Sequence, residues 1–322
     1  MAVQEVAVMA HSNSFLLNGF ISKIEDSLTK RSPFASRKKR QKMNKLIKKT
    51  VMAIMCGLLM APAGLKAQTL AVLDAEFGLR GTVSVDKKVR KGLHVYLEEE
   101  VRIDNNFTKF DRLKTTLGVK YKIHPNIKVG MGYSLINGYS SEASSFKNAR
   151  HRLMVDVTGT LFLGDFNLSL KERFQVTRRT GDFNVYQNPR NTLDLKSRLT
   201  LKYKGFFHMD PYAFVEVRNR LNAPVVEAAY DGTTYYTLDG YSDTGEPGWF
   251  LKGFNGSYVS RLRSSVGFDL KFNQHHSVNV YYIFDYVIDK VVDANSEGTQ
   301  LKSFVINMNW CGWIGAEYKF SF

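Results

Sequence analysis

Charged side chains recur at every second position in several parts of this sequence, as in Glu98, Glu100 and Arg102. In a β-strand, residues with this spacing lie on one face. When two such strands form an antiparallel hairpin, opposite charges on facing positions attract each other by roughly 0.2–1 kcal/mol per pair. A simple hairpin register pairs Glu100 with Lys114, Asp156 with Arg173, and Glu216 with Arg198.

Charges on the inner face of a barrel could also select ions, because rings of lysine and arginine in a pore favour anions. Basic residues without an evident partner are the candidates for this role: Lys120, Lys122, Arg218, Arg220, Arg261 and Arg263. The remaining candidate lumen charges are Glu98, Glu100, Arg102, Arg112, Lys114, Asp156, Arg173, Arg198 and Glu216. Two interpretations stay open, a lumen plugged by ion pairs and a thin pore.

Catalysis is the alternative chemistry. A lipid hydrolase in a barrel wall needs a serine beside a histidine, and a third group that orients the histidine. Histidines occur at positions 94, 151, 208, 275 and 276, but no G-x-S-x-G motif is present. The adjacent His275 and His276 have no nearby acidic ligands in sequence and make a weak metal site. We therefore predict no catalytic residue, no metal ligand and no cofactor.

The elements that must position these charges are β-strands. Segments of about ten or more residues with alternating apolar and polar positions follow one another from Leu93 to the end, and this period-two pattern predicts strands. The pattern predicts ten strands, at about 93–103, 113–123, 127–135, 153–163, 166–176, 193–203, 213–221, 262–272, 278–288 and 301–322.

The connections between these strands alternate between short turns, such as 164–165, and longer polar stretches, such as 222–257. This alternation, with apolar outward faces, is typical of an antiparallel up-and-down transmembrane β-barrel, which has an even number of strands in bacterial outer membranes. We predict an all-β barrel of ten strands over residues 93–322, with residues 68–92 as a periplasmic lead-in. Counting 74–85 as a strand and splitting 301–322 gives the alternative of twelve.

A secretory leader is predicted over residues 43–67. It has a cationic start, an apolar centre and the ending "LKAQ", which allows cleavage after Ala67. Residues 1–42 precede this signal and are interpreted as a non-native upstream extension. The formal charge of +15 is concentrated here: residues 1–67 hold 12 basic and 3 acidic residues, leaving 33 against 27, or +6, for residues 68–322. Nucleic acid is therefore not an expected partner.

The chain ends in "GAEYKFSF", which alternates apolar and polar positions. A final strand that ends in an aromatic residue is typical of proteins that a barrel assembly machinery inserts into the outer membrane. We therefore predict that Phe320 and Phe322 form the assembly signal. Outer-membrane lipid and that machinery are the expected partners, together with a small solute or surface partner that the sequence does not name.

Four stretches together resemble a family of Bacteroidota outer-membrane proteins catalogued as domain of unknown function 2490. They are the leader ending "KAQ", the strand "LHVYLEEEVRID", the strand pair "LKTTLGVKYKIHPNIKVGMGY" and the closing "GAEYKFSF". The resemblance covers roughly residues 70–322. It implies an outer-membrane barrel and supplies no catalytic or ligand residues.

The sequence as a whole predicts an outer-membrane barrel that acts as a narrow basic pore or as a structural or recognition platform. The alternatives are an outer-membrane lipid hydrolase, a non-conducting surface-binding barrel and a soluble periplasmic β-protein.

Overall fold

The computed structural model describes residues 76–229, 236–237, 240–241, 248–296 and 301–322. Within this part of the chain the regular structure is β-strand throughout. The strands are β1 (Glu76–Arg90), β2 (Leu93–Asp104), β3 (Lys109–His124), β4 (Ile127–Ser140), β5 (Ser145–Phe146), β6 (Arg150–Leu163), β7 (Phe166–Arg179), β8 (Asn191–Tyr203), β9 (Met209–Ala229), β10 (Tyr236–Thr237), β11 (Gly240–Tyr241), β12 (Gly248–Lys271), β13 (His276–Ala294) and β14 (Leu301–Ser321).

Eleven of these strands close into a barrel in the order β1, β2, β3, β4, β6, β7, β8, β9, β12, β13, β14. Neighbouring strands pair antiparallel, except that β14 meets β1 in parallel, with Cys311 beside Glu76 and Ser321 beside Asp86. The short β5 pairs with the end of β4, and β10 pairs with β11. Closure leaves no open sheet edge along the paired length, which is the condition for a sheet in lipid.

The predicted fold class, an all-β barrel of about ten strands, is confirmed, and the closed wall has eleven strands, one more than the ten counted and one fewer than the alternative of twelve. All ten predicted segments are barrel strands, but residues 76–90, assigned above to a periplasmic lead-in, form an eleventh. The prediction assumed an even number, which holds when every pair is antiparallel. A parallel pair between first and last strand satisfies the same backbone groups and permits an odd number. The final strand is not split.

The polarity of the wall is the reverse of a soluble protein's. Large apolar side chains on alternate positions face outward and are exposed, for example Leu117 at 55%, Met131 at 64% and Leu153 at 59%. The residues between them face inward and are mostly polar or charged. Those that are buried include Arg80, Glu100, Asp156, Asp194, Glu216, Arg263 and Asp285. The period-two alternation of the sequence thus gives an apolar exterior and an ionic interior.

The two rims differ. At one end the strands are joined by short connections of two to five residues, 91–92, 125–126, 164–165, 204–208 and 272–275, and we call this the short-turn end. The other, the long-loop end, carries the connections 105–108, 141–149, 180–190, 230–247 and 295–300. Four of the five connections at the long-loop end are longer than any at the short-turn end, which gives the barrel the asymmetry that the sequence predicted.

Aromatic clusters mark both ends. Near the short turns, the ring of Tyr203 contacts those of Phe166 and Phe206, with centroids 4.9 and 5.0 Å apart. Near the long loops Phe110 and Tyr139 lie 5.6 Å apart. On β3, Phe110 and Tyr121 are eleven residues apart, which corresponds to about 25–30 Å along the axis of a tilted strand. This is close to the height of the apolar band of membrane barrels.

Among the described residues, no helix has the length and apolar content that a membrane-spanning helix needs. The predicted leader at 43–67 and the upstream segment 1–42 lie outside the described part of the chain, and both remain predictions.

Candidate functional site: the charged lumen

The interior of the barrel contains a central cavity of about 370 Å³. Ten of its lining residues are basic and four are acidic, an excess of six positive charges (10 − 4). The basic residues are Arg80, Arg102, Lys114, Arg152, Lys171, Arg173, Lys196, Arg198, Lys202 and Arg263, and the acidic ones are Glu98, Glu100, Glu216 and Glu317.

The three cross-strand ion pairs expected from the sequence are present. Lys114 Nζ lies 2.9 Å from Glu100 Oε2. Arg173 donates two hydrogen bonds to the Asp156 carboxylate, at 2.5 and 2.7 Å. Arg198 does the same to Glu216, at 2.8 and 2.5 Å. In each case the two residues are direct register partners on neighbouring strands.

One row of inward residues across β7 to β13 alternates in sign over most of its length, and we call it the compensated row. In register order it consists of Lys171, Arg198, Glu216, Arg263 and Asp285. Arg263 donates to both oxygens of Asp285, at 2.6 and 2.8 Å. Lys171 Nζ reaches Asp156 at 2.9 Å. Every charge in this row therefore has an opposite charge within contact distance.

The adjacent row, two residues along each strand, has only positive charges, and we call it the cationic row. It consists of Arg173, Lys196, Arg218 and Arg261 on β7, β8, β9 and β12. Like charges on facing positions destabilise a strand pair. Arg173 is relieved by Asp156, whereas Arg218 donates to the neutral hydroxyl of Ser260 at 2.7 Å. Arg261 comes no closer than 3.8 Å to Asp285.

Lys196 in this row has no hydrogen bond or ion pair with any described residue. Its register neighbours on both sides are arginines, Arg173 and Arg218. Lys196 is therefore a half-buried charge on the inner wall that has no carboxylate at hydrogen-bond distance among the described residues.

The structure brings together eight of the predicted lumen charges around the cavity: Glu98, Glu100, Arg102, Lys114, Arg173, Arg198, Glu216 and Arg263. The other seven lie elsewhere. Asp156 backs the cavity wall through Arg173, and Arg112 pairs with Asp111 at 2.5 Å. Arg218 and Arg261 belong to the cationic row. Lys120 Nζ lies 3.9 Å from the ring centroid of Tyr96, and Lys122 is exposed at the short-turn end.

Two of the residues treated above as unpartnered are in fact ion-paired. Arg220 Nε lies 2.6 Å from Asp194 Oδ1, and Arg263 is bound by Asp285. Alternation along one strand assigns a side chain to a face but does not give its neighbours on the next strand. The register supplies those partners, because Arg220 faces Asp194 and Arg263 faces Asp285.

Five cavity cations were missing from the predicted set, namely Arg80, Arg152, Lys171, Lys196 and Lys202. Arg80 lies on β1, which was not counted as a strand. The other four lie on the inward parity of β6, β7 and β8, and that parity alone could have identified them.

A second cavity of about 210 Å³ lies towards the short-turn end, lined by Lys204, Asp210, Asp269, Lys271, Ser277, Asn279, Glu317 and Lys319. It shares Asn279 and Glu317 with the central cavity, so the space inside the barrel continues towards the short turns.

At the long-loop end, the β7–β8 connection is hydrogen-bonded to the end of β13. The side-chain amide of Asn184 donates to the carbonyl of Ala294 at 2.7 Å, and that of Gln187 donates to Asp293 at 2.5 Å.

Four of the five histidines considered for catalysis bond groups other than serine hydroxyls in the described part of the chain. His94 contacts Asp86 at 2.7 Å, His151 contacts the hydroxyl of Tyr133, and His276 contacts that of Tyr318. His275 bonds a backbone carbonyl. The described residues also hold no group of three or more side chains suited to a metal ion.

Comparison with known proteins gives a family match and distant structural likenesses. The model of the family described as "Protein of unknown function (DUF2490)" matches residues 77–242. No curated protein matches the sequence. A solved structure, "Outer-membrane expressed OmpT of Vibrio cholerae", is 14% identical with a TM-score of 0.30. The match covers 70% of this chain and 64% of that one, under two thirds of its length.

The family match starts at Phe77, within one residue of the first barrel strand, and spans just over half of the 322 residues. β1 is therefore part of the family pattern, in agreement with its place in the barrel wall. The chain belongs to the DUF2490 family.

Proposed function

We propose that this protein is an outer-membrane β-barrel whose basic lumen admits small anions. The observation that carries the proposal is the inverted polarity of the wall. Apolar side chains cover the exterior between two aromatic clusters, while charged side chains fill the interior. A soluble β-barrel buries its apolar face, and only lipid makes the opposite arrangement favourable.

The size of the lumen favours a narrow pore over a wide channel. Eight-stranded barrels are filled by their own side chains, and open aqueous channels need about sixteen to eighteen strands. Eleven strands leave room for the two contiguous cavities described above. The excess of positive charge around the central cavity favours anions over cations.

A non-conducting barrel is the second candidate, and a specific observation favours it. Ion pairs reach across strands that are not neighbours, as between Lys202 on β8 and Asp269 on β12. Tyr212 on β9 similarly donates to Asn279 on β13 at 2.9 Å. Such contacts fix side chains inside the lumen and could block ion flow. In that case the barrel serves as a structural or recognition platform.

Location is tested first. The full sequence is expressed in a Gram-negative host, and the protein is followed through cell fractionation and by its heat-dependent migration on gels. We expect a membrane-fraction protein that migrates differently before and after boiling. Recovery in the soluble fraction after gentle lysis would contradict the proposal and favour a soluble periplasmic β-protein.

Conductance is tested next with the purified protein in a planar bilayer under a potassium chloride gradient. An anion-selective reversal potential supports the narrow pore. Stable insertion without steps of current supports the non-conducting barrel. Cation selectivity would contradict a functional role for the basic lumen. The proposed signal at Phe320 and Phe322 remains a prediction for insertion by the host.

A further inference from the structure

Three basic residues of the central cavity have no carboxylate at hydrogen-bond distance among the described residues. They enter from three different strands, Arg80 from β1, Arg152 from β6 and Lys196 from β8. β6 and β8 are the two neighbours of β7, whereas β1 is four strands from β6 and five from β8 around the ring, so Arg80 reaches the cavity from a different side than Arg152 and Lys196.

The contacts of each residue show how little of its charge is balanced. Arg80 is 6% exposed, and its Nε and Nη2 atoms make no hydrogen bond with any described residue. Its closest carboxylate oxygen, on Asp285, is 3.8 Å away. Arg152 donates from Nε to the neutral hydroxyl of Thr177 at 3.0 Å. Lys196, as described above, contacts no acceptor in the described part of the chain.

The other seven cavity cations differ from these three, because each has a carboxylate at hydrogen-bond distance. The pairs are Arg102 and Lys114 with Glu100, Lys171 and Arg173 with Asp156, Arg198 with Glu216, Lys202 with Asp269, and Arg263 with Asp285. A buried charge without a partner is costly. The barrel thus retains one buried cation, Arg80, and two half-buried cations around one cavity without such a carboxylate.

We propose that the central cavity is a binding site for a small oxyanion with two or more negative charges, of the phosphate class, held by Arg80, Arg152 and Lys196. Guanidinium groups bind phosphate oxygens in pairs, and a lysine ammonium adds a compact charge. The volume of about 370 Å³ is at the lower end of ligand pockets, which suits phosphate or a small phosphate ester. The inference rests on the proposed function, since it names the anion that the basic lumen accepts.

The second cavity lies on the short-turn side of the site, and the two cavities share Asn279 and Glu317. Its lysines are balanced by acids, because Lys204 and Lys271 both pair with Asp210 and Lys319 pairs with Asp86. The cations without a carboxylate at hydrogen-bond distance are thus a feature of the central cavity and not of the second one.

The test is calorimetric titration of the purified protein, in detergent and low-chloride buffer, with inorganic phosphate. We expect saturable binding at one site per chain that weakens as salt rises. Lys196→Met should weaken this binding roughly tenfold or more, the effect of losing one charge-assisted hydrogen bond. The matched control is Lys91→Met, an exposed lysine in the β1–β2 turn, which should leave the affinity within about twofold.

Arg152→Gln serves as a second variant, so that the outcome does not depend on one substitution, and heat-dependent gel migration verifies that each variant is folded. Absence of saturable binding in the native protein would overturn the site. Equal weakening by Lys196→Met and Lys91→Met would also overturn it, because phosphate would then sense only the overall charge.

Failure of this site and failure of the proposed function give different results. A protein that inserts and conducts anions but does not saturate with phosphate refutes the site alone. A protein found outside the membrane that still binds phosphate through Lys196 supports the site and refutes the membrane location.

Discussion

The compensated row and the cationic row occupy the same wall of the barrel, only two residues apart along each strand. In the compensated row, Glu216 and Asp285 hold Arg198 and Arg263 in close ion pairs. In the cationic row, Lys196 lies between Arg173 and Arg218 with no acid of its own. The ion pairs of the compensated row stabilise the wall, whereas the like charges of the cationic row destabilise it. The difference teaches that a ligand or a transported ion is the natural explanation for the cationic row.

The largest expected effect on the free energy of unfolding comes from replacing Asp285 in the compensated row. Asp285 is 1% exposed and binds Arg263 through both oxygens, with Arg80 and Arg261 each 3.8 Å away. Asp285→Asn removes the nearest carboxylate of all three arginines and leaves Arg263 with only Glu216 at 3.9 Å, so the free energy of unfolding should fall by about 3–5 kcal/mol. Urea unfolding in detergent micelles, followed by tryptophan fluorescence, measures this change.

The control for Asp285 is Asp182→Asn, since Asp182 is an exposed acid in the β7–β8 connection. Its effect should stay within about 0.5 kcal/mol. A similar loss in both variants would show that Asp285 acts only through overall charge, and the compensated row would lose its special status.

Replacement of Lys196 should act in the opposite direction. Lys196→Met keeps the aliphatic length and removes a charge flanked by two arginines, so the unfolding free energy should rise by about 1–2 kcal/mol. The same urea titration measures it. A side chain kept only for stability would instead lower the unfolding free energy when replaced, and that result would remove the distinction between the two rows.

A change in salt concentration should have the smallest effect on the free energy of unfolding. It should act mainly on the like charges of the cationic row. Between about 50 and 500 mM potassium chloride, screening should stabilise the native protein by up to about 1 kcal/mol through the cationic row. The Lys196→Met variant should gain less, since part of the repulsion is already gone. Parallel unfolding curves at both salt concentrations compare the two proteins, and equal gains would contradict the prediction.

Much of the wall could be predicted from the sequence because a strand's alternation is a local property. The ten segments from Leu93 onward, the inward faces and the short turns all follow from neighbouring residues. The pairs Glu100–Lys114, Asp156–Arg173 and Glu216–Arg198 were also accessible, because short turns fix the register of a hairpin or because the strands are adjacent in sequence.

The parts of the fold and of the site that the sequence did not predict depend on contacts between residues far apart in the chain. β1 alternates clearly, yet its place in the wall depends on pairing with β14, which no local pattern reports. The partner of Lys202 is Asp269 on a strand that is not its neighbour, so hairpin register does not predict it. The cluster of Arg80, Arg152 and Lys196 requires both the closed ring and the knowledge of which acids are already engaged.

The parallel pair of β1 and β14 also has a consequence for the order of folding. In this pair Glu76 meets Cys311, a sequence separation of 235 residues (311 − 76), whereas the other barrel pairs join strands next to each other along the wall-forming sequence. The entropy of closing a loop rises with its length, and distant contacts form slowly. The barrel should therefore exist first as a curved sheet of hairpins with two open edges, and joining those edges is the late, rate-limiting step of its assembly.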